Sequence, residues 1–152
     1  TTILELCIGN TVYPAMNSAN HVMLLGDLVV WFYQDLPGIS SSHSLTGFTR
    51  IEMKPYPVKG LDHVAASYHS VHGEISSSWS VSGQQFSWDV VIPANTTAEV
   101  SIPAASADDV TEGGRKADGA PSVKFLRQDG ARAVFEIGSG SYHFVSKSFK
   151  PL

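Results

Sequence analysis

The chain is 152 residues long and 43% hydrophobic, and its ten Lys and Arg against fourteen Asp and Glu leave a net charge of −4. That apolar content suffices for a domain-sized core without disulfides or metals, and the single Cys7 cannot close an internal disulfide. No Lys/Arg cluster exists to follow a phosphate backbone or an anionic bilayer, so composition argues against nucleic acid and membrane surfaces as partners.

The first segment, "TTILEL", places Glu5 in a β-branched and apolar stretch. Desolvation there would raise a carboxyl pKa and make it a candidate acid or base. The commoner reading of a lone Glu in such a place is a solvent-facing side chain near a terminus. Cys7 reads as a small buried hydrophobe. The chain opens at Thr1 without Met and without a charged-then-apolar leader, which suits a piece of a longer protein.

A helix is predicted over residues 19–35. Asn17 and Ser18 are good N-caps, Val22, Leu25, Val29, Phe32 and Leu36 recur at helical spacing, and Pro37-Gly38 ends the run. A second stripe of Leu24, Leu28 and Trp31 lies on another face. A helix apolar on two faces normally sits inside a larger body, and one sheet covers only one of them. The apolar run from Val22 to Tyr33 is broken by Gly26 and Asp27 and is too short to span a bilayer. At its start, Asn17, Ser18, Asn20 and His21 form a polar cluster, and helix N-termini favour oxygen ligands because their first amides lack partners. Alone, His21 reads as an ordinary first-turn surface histidine.

After a Ser-rich loop over Ser40 to Ser44, the period changes to two. Ile75, Ser77, Trp79 and Val81 alternate with serines, and Phe86, Trp88, Val90 and Ile92 alternate with Ser87, Asp89 and Val91. Ser82-Gly83-Gln84 and Asp129-Gly130 mark hairpins, and further strands are expected at 49–54, 62–70, 97–102, 123–128, 131–137 and 141–146. This spacing predicts a mainly β protein, an antiparallel β-sandwich preceded by one long N-terminal helix. The stretch from Asp108 to Pro121 reads as an exposed loop.

Three smaller features have ordinary explanations beside functional ones. His69 and His72 lack the spacing of a helical zinc pair and a third ligand nearby, so no metal or other cofactor is expected. Asn95-Thr96-Thr97 is a formal glycosylation acceptor but reads as a turn. Trp79, Trp88, Tyr56 and Tyr68 are the residue types of a sugar-stacking platform, yet the alternation places both tryptophans on the core side.

Taken together, "TTILE", "MNSANH", "LVVWFYQDLPGI", "GFTRIEMKPYPVKGLDHVAASYHSVHGEISSSW", "FSWDVVIPANTTAEVSIPA" and "FEIGSGSYHF" resemble, in order, the C-terminal portion of bacterial α-L-rhamnosidases, the family-78 glycoside hydrolases. The resemblance covers nearly the whole chain and is weakest from about Ala104 to Pro121. It implies that residues 1–39 are the C-terminal segment of a catalytic (α/α)6 barrel and residues 40–152 a C-terminal β-sandwich domain. It also implies a substrate, a rhamnose-containing glycoside or polysaccharide, and hydrolysis with inversion by a periplasmic or secreted bacterial enzyme. By the same resemblance Glu5 would be the general base, and His21, with Asn20 beside it, would contact the sugar. The acid would lie in barrel segments outside these 152 residues, so the isolated chain is expected to be inactive. Where the family usually has Trp this chain has Leu4, and where it usually has Arg-Trp the chain has Leu6-Cys7. The rival expectations are a carbohydrate-binding sandwich and a purely structural one. In the isolated chain the exposed N-terminal helix would favour a homodimer through that surface.

Overall fold

The alternation that dominates the middle of the sequence is the alternation of the fold. In the computed structural model, which describes residues 21–41 and 48–149, β4 (Gly73–Ser82) and β5 (Gln85–Ile92) pair antiparallel with Trp79 opposite Trp88. Ile75, Ser77 and Trp79 of β4 and Phe86, Trp88, Val90 and Ile92 of β5 are buried, while the serines and Asp89 between them face outward. Gly83 takes the left-handed φ of 59° that the two-residue turn between them requires.

The remaining elements complete two sheets. One has the order β1 (Ile39–Ser41), β2 (Arg50–Met53), β6 (Thr97–Pro103), β10 (Arg132–Ile137), β9 (Val123–Asp129). The other runs β3 (His63–Ser70), β4, β5, β11 (Gly140–Ser146), β7 (Val110–Glu112), β8 (Arg115–Lys116). Their inner faces share one core, in which Ile51, Met53, Val100, Ile102 and Phe135 of the first sheet meet Trp79, Phe86, Trp88 and Phe144 of the second. The mainly β sandwich is therefore the observed architecture. Each strand expected from residue 49 onward is present within a residue or two of its expected limits.

Three sequence expectations need correction. β2 and β6 run parallel, so the first sheet is not wholly antiparallel. Ser40 and Ser41 are not loop but part of a three-residue edge strand paired with Glu52 and Ile51. The stretch 108–121 is not simply an exposed loop either: β7 pairs with β11 and with β8, and Val110, Ala117 and Ala120 are buried. These two strands are only three and two residues long, so period-two patterning has no length over which to show itself.

The helix α1 spans His21–Gln34, within the range expected; residues 19 and 20 and the caps Asn17 and Ser18 lie outside the described residues. Leu28, Val29, Val30, Trp31, Phe32 and Tyr33 are each 42–54% exposed. Six successive residues turn through more than a full helical revolution, so solvent reaches α1 on every side. The sandwich holds the helix at its C-terminal end, beside β1.

Candidate functional site

Glu5 and Asn20 lie outside the described residues. Of His21 the structure gives its place as the first residue of α1, with its side chain outside the description. What the described residues define is the junction between α1 and the sandwich, and it is built from side chains that the alternation alone assigned to the core.

The junction is the segment Asp35 to Gly38. Leu36 is buried, and Gly38 has φ 76°, a left-handed value that favours glycine. A β-carbon at Gly38 would overlap the backbone of Lys54 and Pro55, so glycine is also needed for close approach. Lys54 N–H donates to the Gly38 carbonyl at 2.9 Å, and Tyr56 N–H donates to the Asp35 carbonyl at 3.0 Å. The carbonyls in between are taken by side chains from the core. Trp79 Nε1–H donates to Leu36 O at 2.8 Å, and Ser77 Oγ–H donates to Pro37 O at 2.6 Å. Ser77 Oγ in turn accepts from Trp88 Nε1–H at 2.9 Å. Ser77 is fully buried, and these three bonds satisfy groups that would otherwise be costly to bury.

Arg132 supports the outer wall of the junction. Its guanidinium donates to Ser101 O at 3.1 Å and Pro55 O at 2.9 Å, and lies 4.8 Å from the centre of the Tyr56 ring. Burial lowers the Arg132 pKa from its ordinary value, opposed by the Tyr56 and Asp129 charges. The guanidinium nevertheless stays charged at any ordinary pH.

A groove of about 420 Å³ lies between α1 and the sandwich, lined on one side by Val29, Val30 and Tyr33 and on the other by Ile39, Phe48 and Tyr68. Among the described residues its lining also includes Gln34, Ser40 and Ser41 and no acidic or basic side chain. These residues supply shape and a few polar groups. On the outer face of β5 and β11, Asp89 and His143 make an exposed 2.6 Å pair, with each side chain at least half open to water.

The sugar-platform reading of the aromatic residues does not survive. Trp79 and Trp88 are buried, and their indole N–H groups are committed within the molecule. Tyr56 and Tyr68 are partly exposed, but Tyr56 lies under Arg132 and Tyr68 packs on Phe48 at 5.0 Å, so the two make no common platform with the tryptophans. His69 is the last residue but one of β3 and His72 sits in the following turn, where its N–H is held by Ser70 Oγ. Sequence reasoning missed Ser77. The available signal was its inward register between Ile75 and Trp79, since a buried hydroxyl implies a specific partner.

Comparison with known proteins agrees with this geometry. Residues 38–117 match the model of the bacterial alpha-L-rhamnosidase C-terminal domain. An alpha-L-rhamnosidase of Streptomyces avermitilis is 35% identical over 134 residues, covering 87% of this chain and 12% of that protein. The crystal structure of the Streptomyces avermitilis alpha-L-rhamnosidase complexed with L-rhamnose superposes with a TM-score of 0.73 at 33% identity, over 91% of this chain and 12% of that one. The Dictyoglumus thermophilum alpha-L-rhamnosidase gives a TM-score of 0.72 at 28% identity, over 91% of this chain and 15% of that one. The chain thus spans only 12–15% of the length of these relatives. By sequence and fold, it belongs to the family of bacterial alpha-L-rhamnosidase C-terminal domains.

Proposed function

We propose that the chain is the C-terminal part of a glycoside hydrolase that releases terminal α-linked L-rhamnose from a glycoside or polysaccharide, with inversion. In this reading residues 1–39 close an (α/α)6 catalytic barrel and residues 40–152 form a sandwich that takes no part in the chemistry. The observation that carries it is α1, which exposes apolar side chains all round while the sandwich beneath it is complete. Burying such a helix requires further structure, and the family to which the chain belongs lies within much longer enzymes.

Inversion requires two carboxyls roughly 6.5–9.5 Å apart, an acid that protonates the leaving oxygen and a base that activates water on the opposite ring face. Glu5 is assigned as the base, taking a proton from the water that attacks the anomeric carbon. His21, the first residue of α1, and Asn20, which precedes it in sequence, are assigned to hold the sugar. The acid lies outside the chain, so the 152 residues alone bind too little of the transition state to turn over. The test uses an aryl α-L-rhamnoside with the isolated chain and with the full-length protein. No aryl release is expected from the first. From the second, release is expected with the β anomer as first product by NMR, and Glu5→Gln should abolish it. Turnover by the isolated chain, or retention of configuration, would refute the assignment.

A further inference from the structure

The sandwich core sends its hydrogen-bond donors out of its own sheets and into the segment that ends the helix. Ser77 and Trp79 alternate inward on β4, where apolar side chains would fill the space as well, yet both are bonded to carbonyls some forty residues upstream. With Tyr56 N–H and Lys54 N–H on the neighbouring carbonyls, four consecutive residues, Asp35 to Gly38, are each held through their C=O. Gly38 allows the approach that brings them there. A junction of this kind leaves little freedom in the direction of what precedes it. The helix then acts as a lever: its 14 residues are about 21 Å long, so a 10° tilt at Gln34 moves His21 by about 4 Å.

We propose that this clamp positions α1, with Ser77 as its central positioning residue, and that through α1 the sandwich sets where the start of the helix meets substrate. The second half rests on the function proposed above; the first does not. Ser77 is suited to the role because it links both tryptophans' strands to the junction. Its hydroxyl proton goes to Pro37 O while its oxygen takes the Trp88 indole N–H, and the bond to Pro37 needs only the hydroxyl.

The clamp is tested in the 152-residue chain with Cys7→Ser, with Val29→Glu and Phe32→Glu to keep α1 free of a second copy, and with spin labels on Leu28→Cys and Lys124→Cys. Electron–electron distance distributions are compared in Ser77→Ala, Trp79→Phe and Trp88→Phe. Ser77→Ala and Trp79→Phe each cut a bond to the junction, and the expected result is a distribution broadened at least about twofold. Trp88→Phe disturbs the core more but leaves both junction bonds in place, so its distribution should stay narrow whatever its melting temperature. Equal widths in all three variants, broadened or not, would overturn the clamp. In the full-length enzyme, Ser77→Ala should raise KM for an aryl rhamnoside roughly tenfold with a smaller change in kcat, as expected for loss of uniform sugar binding. A loosened helix with wild-type KM would refute the link to substrate while the clamp stands. A wild-type enzyme that releases no rhamnose would refute the function and leave the distance measurement intact.

Discussion

The most discriminating test of the junction as a structural element is Gly38→Ala. Gly38 and Gly60 both have positive φ, 76° and 94°, but their surroundings differ. A β-carbon on Gly60 meets nothing within 4 Å, whereas on Gly38 it would overlap the Lys54 carbonyl carbon and the Pro55 nitrogen. Both substitutions incur the left-handed penalty of about 1–2 kcal/mol for an L side chain. Both also recover about 0.4–1 kcal/mol from a stiffer unfolded chain. These contributions are common to the pair, so the difference between the variants isolates the overlap. Relieving it means moving the junction away from Lys54, which breaks the 2.9 Å bond from Lys54 N–H to Gly38 O and strains those of Ser77 and Trp79. One such bond is worth about 1 kcal/mol net, and a buried group left without a partner costs about 1–3 kcal/mol. Gly38→Ala should therefore cost about 2–4 kcal/mol more than Gly60→Ala. With a urea m-value of about 2 kcal/mol/M, the midpoints should separate by about 1–2 M. Coincident midpoints would show that the junction tolerates displacement and that its hydrogen bonds contribute little.

Other outcomes follow from the same coordinates. Acrylamide should quench Trp31, 43% exposed, far more than Trp79 and Trp88, and Trp31→Phe should remove most of the quenchable emission; strong residual quenching would contradict the buried indoles. Light scattering should find the isolated chain self-associating, and Val29→Glu with Phe32→Glu should return it to monomer with little change in urea midpoint, since both side chains are about half exposed. On the first sheet, Arg127→Ala removes an exposed pair with Glu99 and should cost under about 1 kcal/mol, less in high salt, whereas Ile51→Ala in the core should cost about 2–5 kcal/mol. Burial and then the Glu112 charge raise the Tyr142 pKa above its ordinary value near 10. The folded state thus holds the phenol proton more tightly than the unfolded state. Its contribution is complete below about pH 10 and is lost as pH rises through the higher folded pKa, and Tyr142→Phe should flatten that alkaline decline.

How much was legible follows from distance along the chain. β4 and β5 were readable because ten and eight residues with one face buried repeat the period of two several times, and the Gly83 turn between them is local chemistry. β1, β7 and β8 were not, because three or two residues carry no period and their pairing depends on strands elsewhere. The parallel alignment of β2 with β6 also joins segments more than forty residues apart. Of the candidate site, the polar start of the helix and Glu5 were visible as residue types, but the partners of Ser77, Trp79 and Trp88 were not.

What the sequence alone determined is which faces seek water: a sandwich with alternating strands, and a helix apolar on more sides than that sandwich could cover. Those follow from side-chain chemistry at fixed local spacing, which is written in the order of residues. Only the tertiary structure decided that the buried Ser77 and Trp79 reach past their own sheet to hold the carbonyls of Pro37 and Leu36, with the Trp88 indole N–H donating to Ser77 behind them. A hydrogen-bond donor announces that it needs an acceptor, but which acceptor arrives is settled when distant backbone is brought within three ångströms of it.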